Sequence, residues 1–89
     1  MEIIIISALW CPSCLVMKKI YKNLENKYKD IKFSYLDYDF DSDTIEKYKV
    51  EKILPIFIVL KNNIEVKRII GEHAEDVYET SIKEFYEKN

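Results

Sequence analysis

The stretch "ALWCPSC", residues 8–14, decides the fold, because it holds both cysteines of the 89-residue chain, two residues apart. In front of it, "EIIIIS" (residues 2–7) is a β-branched apolar run typical of a strand covered on both faces of a parallel or mixed sheet. Pro12 suits the first turn of a helix, since its missing N–H would have no intrahelical partner there. The stretch therefore predicts a strand that leads into a helix, with Cys11 between them.

The next part of the chain shows a helical pattern and then an extended one. Apolar side chains at helical spacing predict a first helix from about Pro12 to Tyr28. Apolar and polar residues alternate over residues 31–35, which predicts a second strand that ends near Tyr38. Asp43, followed three residues later by Glu46, has the spacing of a capping box, so we expect a short helix from about Asp43 to Lys49.

The last part of the chain predicts a hairpin and a final helix. "PIFIVLKNNIEVKRII", residues 55–70, contains two strand-like runs separated by Asn62 and Asn63, and asparagine tolerates the positive φ of a tight hairpin turn. Gly71, the only glycine, ends the second run. Residues 77–86 carry a helical apolar stripe.

These elements predict an α/β fold with the order β-α-β-α-β-β-α. The helical crossover makes the first two strands parallel with a right-handed connection, and the hairpin is added on the other side of strand one. We therefore expect one domain, residues 1–89, with a four-stranded mixed sheet of order 2-1-3-4 and helices on both faces. Because 48% of the residues are hydrophobic, such a domain can bury a modest core.

Composition also bears on partners and location. The chain has 14 Lys and Arg against 16 Asp and Glu, a net charge of −2 without a basic cluster, so no nucleic-acid partner is expected. The apolar N-terminal run carries Glu2 instead of a basic region and is too short for a membrane span. We therefore expect a cytoplasmic protein with no membrane partner.

The position of the two cysteines favours chemistry. In open α/β sheets, ligands and reactions collect beyond the carboxyl ends of strands. Cys11 is expected at a helix N-terminus, where free N–H groups and the helix dipole favour a thiolate. Cys14 is one helical turn further on, close enough to form a disulfide with Cys11, and we expect the helix to shield it more deeply.

This asymmetry assigns the catalytic roles. Cys11 attacks a disulfide of the partner, and Cys14 then attacks Cys11 to release the reduced partner, with no cofactor. Pro12 and Ser13 lie inside the ring that the disulfide closes and are expected to influence its redox potential. For Trp10, two interpretations stay open: an apolar wall that touches partner proteins, or ordinary core packing.

Metal sites fit this sequence poorly. A Cys-x-x-Cys pair is half of a common zinc site, but only His73 is available as a further Cys or His ligand, so no metal is expected. The acidic "DYDFDSD", residues 37–43, lacks the glycine and closing glutamate of an EF-hand loop, and we interpret it as solvated. A remaining alternative is a non-catalytic interaction module in which the thiols only pack.

Together with the element order, "WCPSC" (residues 10–14) resembles the thioredoxin and glutaredoxin superfamily over essentially the whole chain. Trp10-Cys11 looks like thioredoxins, Cys-Pro-Ser-Cys is closer to glutaredoxins, and "KNNIEVKRIIG" (residues 61–71) resembles the thioredoxin hairpin. The resemblance implies a thioredoxin fold and a monomeric oxidoreductase that reduces protein disulfides. Its implied partners are disulfide-containing proteins and a thioredoxin-reductase-like or glutathione-based reductant.

The resemblance also implies a substrate-binding surface. Pro55 matches the cis-proline opposite the dithiol, whose role is to turn the Leu54 backbone toward an extended substrate segment. Gly71 and Glu72 are expected beside this groove. His73 would be either a residue that tunes charge there or, the more ordinary interpretation, a solvated histidine before the last helix.

The sequence departs from both families in ways that limit the resemblance. Residues 3–6 are all isoleucine, so the buried acid that thioredoxins carry in this strand is missing. Proton transfer to or from Cys14 must therefore use water or another group. The residues flanking the glutaredoxin motifs are also absent, which argues against a dedicated glutathione site. A glutathione-dependent protein, or one that shares an iron–sulfur cluster between two chains, stays the alternative.

Overall fold

The computed structural model describes residues 1–50 and 53–86, and these form four strands and three helices. In chain order the elements are β1 (Glu2–Ser7), α1 (Pro12–Lys27), β2 (Lys32–Asp37), α2 (Ser42–Glu46), β3 (Ile56–Lys61), β4 (Ile64–Ile70) and α3 (Glu75–Tyr86). Most elements begin and end within one or two residues of their predicted positions.

The strands form one mixed sheet with the order β2-β1-β3-β4, which confirms the predicted topology. β1 runs parallel to β2, with Ile5 opposite Tyr35, and antiparallel to β3, with Ile6 opposite Ile56. β3 and β4 pair as an antiparallel hairpin. Its two loop residues, Asn62 and Asn63, have φ values of 54° and 65°, the left-handed conformation that the hairpin prediction required.

Both faces of the sheet are covered, because successive side chains of a strand point to opposite faces. Ile3 and Ile5 pack with the buried residues of α1 and α3, whereas Ile4 and Ile6 pack with Ile45 of α2. β3 is buried along residues 56–60. Burial of each large apolar side chain contributes about 1.5–3 kcal/mol, so these two central strands supply much of the stability.

The predicted second helix was too long at its C-terminal end. α2 spans Ser42–Glu46 instead of residues 43–49, and the capping box is absent. After Glu46 the backbone makes i to i−3 hydrogen bonds and turns, and Lys49 has a φ of 51°. The apolar pattern did not reveal this end because only Ile45 of the helix is buried.

No helix in the described ranges, residues 1–50 and 53–86, has both the length and the apolar character that crossing a membrane requires.

Candidate active site

Three chain segments converge at one end of the sheet. β1 ends at Ser7, just before the dithiol motif, and because β3 is antiparallel to β1, its first residues lie at the same end. β4 ends opposite the start of β3, with Ile70 paired to Ile56. Topology therefore brings the cysteines, the Leu54–Pro55 peptide bond and Gly71 together.

Cys11 is the N-cap residue of α1. Its backbone is extended, with φ −96° and ψ 110°, and Pro12 follows in the first helical turn as predicted. The backbone N–H of Cys14 donates a hydrogen bond to the Cys11 sulfur at 3.2 Å. A sulfur at this position accepts from an N–H that the helix leaves unpaired and lies at the positive end of the helix dipole, and both effects favour a thiolate.

Cys14 has a different environment. Burial first, and then a hydrogen bond with the Cys11 side chain, raise the pKa of the Cys14 thiol to about 12, although a backbone hydrogen bond from Ala8 partly opposes them. The prediction that Cys14 is more deeply shielded was wrong, since Cys11 is 5% exposed and Cys14 is 7% exposed. The two free thiols are therefore distinguished by their hydrogen bonds and their place in the helix.

The peptide bond between Leu54 and Pro55 is cis, as the family resemblance implied. The Gly71 N–H donates to the Pro55 carbonyl at 2.8 Å. Leu54 packs with the cysteines in one buried cluster, and Ile53 beside it is exposed. Within residues 1–50 and 53–86, no hydrogen bond engages the backbone of Leu54, so its N–H and C=O are available to an added strand.

Trp10 lies on the surface beside the motif. Its side chain is 58% exposed, which rules out the core-packing interpretation. The indole N–H donates to Asp39 Oδ2 at 2.8 Å, and the ring meets Tyr38 edge to face at 6.2 Å. These contacts hold the indole as a fixed apolar wall. Sequence reasoning missed Asp39, because nothing in a solvated acidic loop indicated a contact 29 residues away.

The loop after β4 forms the other side of the site. Gly71 has a φ of 87°, a conformation that glycine adopts without strain, and its carbonyl accepts from the Tyr78 hydroxyl at 3.0 Å. Glu72 and His73 are exposed, and His73 Nε2–H donates to the Ile70 carbonyl at 2.8 Å. His73 is therefore a solvent-exposed histidine before α3, in agreement with the more ordinary of its two interpretations, and its hydrogen bond also supports the loop.

The part of the chain that the structure describes contains neither a cluster of metal ligands nor a buried acid in β1. Among residues 1–50 and 53–86, no three His, Cys, Asp or Glu side chains cluster as metal ligands would. Residues 3–6 are buried isoleucines, at most 4% exposed. The chemistry available to this site is thiol-disulfide exchange between its own two thiols and a disulfide of a partner.

Comparison with known proteins agrees with this geometry. Residues 2–84 match the family model of thioredoxin. Thioredoxin H5 of Oryza sativa subsp. japonica is 36% identical over 73 residues, covering 82% of this chain and 53% of that protein. The chloroplastic F-type thioredoxin of Pisum sativum is 35% identical over 68 residues, covering 76% of this chain and 37% of that one.

Solved structures give the same result. The crystal structure of the thioredoxin NaTrxh from Nicotiana alata superposes with a TM-score of 0.86 at 30% identity, covering 93% of this chain and 70% of that chain. The present chain spans about half the length of the rice relative and less of the pea relative.

Proposed function

Since the chain belongs to the thioredoxin family, we propose that it is a thiol-disulfide oxidoreductase that reduces protein disulfides through Cys11 and Cys14. The observation that carries this proposal is the cap geometry. The Cys11 sulfur accepts a backbone hydrogen bond at the N-terminus of α1, whereas burial and the Cys11 side chain raise the pKa of the Cys14 thiol. Cys11 is therefore suited to attack the substrate disulfide, and Cys14 to resolve the mixed disulfide afterwards.

The reaction runs in two exchanges. The Cys11 thiolate attacks a disulfide of the substrate, which forms a mixed disulfide and releases one substrate thiol. Cys14 then loses its proton and attacks the Cys11 sulfur, which releases the second substrate thiol and leaves a Cys11–Cys14 disulfide. Two electrons have passed to the substrate, and a reductant must return two electrons to the protein. No step requires a cofactor.

Substrate recognition is assigned to the surface around the dithiol. Trp10 and Ile53 expose apolar area beside it, and the N–H and C=O of Leu54, which make no hydrogen bond to any other described residue, suit an extended segment of the partner. Gly71 carries no side chain that would obstruct this segment, and exposed Glu72 lies next to it. Pro12 and Ser13 stay assigned to the redox potential of the ring.

The partners follow from the same chemistry. They are proteins with an accessible disulfide, together with a thioredoxin-reductase-like or glutathione-based reductant, and the protein acts as a monomer. The relatives are H-type and F-type thioredoxins, so the glutathione-dependent, iron–sulfur and non-catalytic alternatives are not favoured. The cytoplasmic location stays a prediction, since the pea relative is chloroplastic.

Insulin-disulfide reduction with dithiothreitol as the electron source tests this function. The wild type should accelerate precipitation of the insulin B chain. Cys11→Ser should be inactive because it lacks the attacking thiol, whereas Cys14→Ser should stop after one exchange and accumulate a mixed disulfide that mass spectrometry detects. Equal activity of the wild type and both variants would rule out the proposed mechanism.

A further inference from the structure

The proposed function leaves one proton without a route. Before Cys14 can attack the mixed disulfide, its thiol must be deprotonated, because the thiolate is the nucleophile. Burial makes this difficult, and β1 supplies no carboxylate near Cys14, since residues 3–6 are isoleucine and Glu2 lies at the opposite end of the strand from the dithiol. Another group that shares space with Cys14 has to accept the proton.

A cavity of about 270 Å³ adjoins Cys14 between α1 and the β1–β2 side of the sheet. Its lining includes the solvent-exposed side chains of Leu9 and Leu15, so the cavity is in contact with solvent. Its volume is several times the ~30 Å³ share of one water molecule, and its lining includes hydroxyl, ammonium and carboxylate groups that can hold water. Solvent can therefore link Cys14 to the polar groups of this cavity.

Five titratable side chains besides Cys14 line the cavity, and they differ in their ability to take a proton: Lys18, Tyr21, Lys22, Tyr35 and Asp37. Ammonium groups are donors only. Burial raises the pKa of both phenols, with further contributions from Tyr78 at Tyr21 and from Glu25 at Tyr35, so both keep their protons at neutral pH. An ionised Asp37 is the one member of this set that accepts.

The carboxylate of Asp37 is held in place by one of its two oxygens. Oδ1 accepts from the backbone N–H groups of Asp39 at 2.9 Å and Phe40 at 3.2 Å. The Asp37 N–H in turn donates to Asp41 Oδ2 at 2.8 Å. Within residues 1–50 and 53–86, no hydrogen bond occupies Oδ2 of Asp37, so this oxygen is available to water.

We propose that Asp37, acting through water in the cavity, is the proton acceptor that converts the Cys14 thiol to the attacking thiolate. This inference rests on the proposed disulfide exchange and adds to it the missing proton step. As the Cys14 S–H bond breaks, the proton passes to the Asp37 carboxylate. The Cys14 thiolate then forms a bond to the Cys11 sulfur, the bond from Cys11 to the substrate sulfur breaks, and the departing thiolate takes a proton back from Asp37 or from solvent.

Stopped-flow reaction with Ellman's reagent separates the two exchanges. The attack of Cys11 releases one thionitrobenzoate at a rate that rises with reagent concentration, and the attack of Cys14 releases a second at a rate that does not. Asp37→Asn keeps an amide oxygen for the turn but removes the basic carboxylate. We expect its second phase to slow by about 100-fold or more at neutral pH, with the first phase within about twofold of the wild type.

The pH profile distinguishes a proton acceptor from a residue that only shapes the loop. In the wild type the second rate should stay level across neutral pH, because Cys14 stays protonated there and its proton passes to a fixed acceptor instead of to hydroxide. In Asp37→Asn it should rise about tenfold per pH unit, as the thiolate fraction does. Asp41→Asn, the same change in the same turn, should leave both phases at wild-type rates.

The outcomes distinguish failure of the proposed proton transfer to Asp37, called the relay below, from failure of the proposed function. If Asp37→Asn shows both phases at wild-type rates, or if the wild-type second phase itself rises tenfold per pH unit, the relay is wrong and disulfide exchange stands. The wild-type profile needs no variant, so it decides the question even if Asp37→Asn fails to fold. If the wild type releases no thionitrobenzoate, the proposed function fails first.

Discussion

At the scale of single residues, the backbone makes two identical side chains chemically different. Cys11 precedes the first helical turn and receives a hydrogen bond from an N–H that would otherwise be unpaired, whereas Cys14 lies inside the helix with its thiol toward buried surroundings. Exposure does not separate them, because both are almost fully buried. A three-residue spacing across the start of a helix is therefore sufficient to give the two cysteines different catalytic roles.

Tyr21 provides the prediction at this scale. In the described residues its hydroxyl is buried without a hydrogen-bond partner of good geometry, while its ring stacks on Phe57 at 5.9 Å. Tyr21→Phe removes a buried oxygen that has no well-aligned hydrogen bond, and it should raise the free energy of unfolding by about 1 kcal/mol. Urea denaturation measures this change.

Tyr78→Phe is the matched control for Tyr21→Phe. The hydroxyl of Tyr78 donates to the Gly71 carbonyl at 3.0 Å, so its removal should lower the free energy of unfolding by about 1 kcal/mol. Equal losses in the two variants would mean that the Tyr21 hydroxyl makes a stabilising interaction, contrary to the prediction.

At the scale of elements, Glu79 connects α3 to the end of α1. Its Oε2 accepts from the Tyr28 hydroxyl at 2.9 Å and pairs with Lys27, and Lys83 lies 4.0 Å away. Lys27, then Tyr28 and Lys83, lower the pKa of the Glu79 carboxyl. A lowered pKa means that folding favours the ionised form, so this contribution is present above the ordinary pKa of glutamate and is lost as the pH falls through the lowered value.

Glu79→Gln should therefore be less stable than the wild type at neutral pH, and the difference should disappear in acid, where the wild-type carboxyl is protonated. Thermal unfolding followed across a pH series measures this. Because the pair is near the surface, added salt should reduce the difference as well. Glu84→Gln, at an exposed glutamate of the same helix, should show no such pH dependence, and a constant difference between Glu79→Gln and the wild type at every pH would contradict the assignment.

The elements were predictable where local chemistry determines them. The isoleucine run of β1, Pro12 at the start of α1 and the Asn62–Asn63 turn each carry a strong local preference, and the structure has all three as expected. The end of α2 depends on a few turn hydrogen bonds that leave little apolar pattern. The contact between Trp10 and Asp39, and the cavity that Cys14 shares with Asp37, depend on the packing of β2 against α1, which spacing along the chain does not encode.

At the scale of the whole molecule, the candidate site and the core share one framework. β1 leads into the dithiol and β3 begins directly after the cis peptide bond, and these two strands are buried on both faces. Any displacement of β3 along β1 would move Pro55 relative to Cys11. The geometry of the site is therefore maintained by the packing of the central strands, in addition to the loops that carry the residues.

Phe57 tests this dependence. Its ring is fully buried near the start of β3, stacks on Tyr21 of α1 and meets Tyr78 of α3 at 4.8 Å, so it joins three elements. Phe57→Ala should lower the free energy of unfolding by about 3–5 kcal/mol, a large part of the stability of a domain of this size. Phe40→Ala, at a side chain that is 80% exposed, should change it by less than about 0.5 kcal/mol.

Two probes show whether the site and the core unfold together. Trp10, the only tryptophan, reports on the active-site end by fluorescence, and far-UV circular dichroism reports on all helices and strands. Because β1 and β3 belong to both regions, the two urea transitions should coincide in the wild type and shift together in Phe57→Ala. A fluorescence transition at clearly lower urea than the dichroism transition would mean that the active-site end unfolds separately, and that the central strands do not hold its geometry.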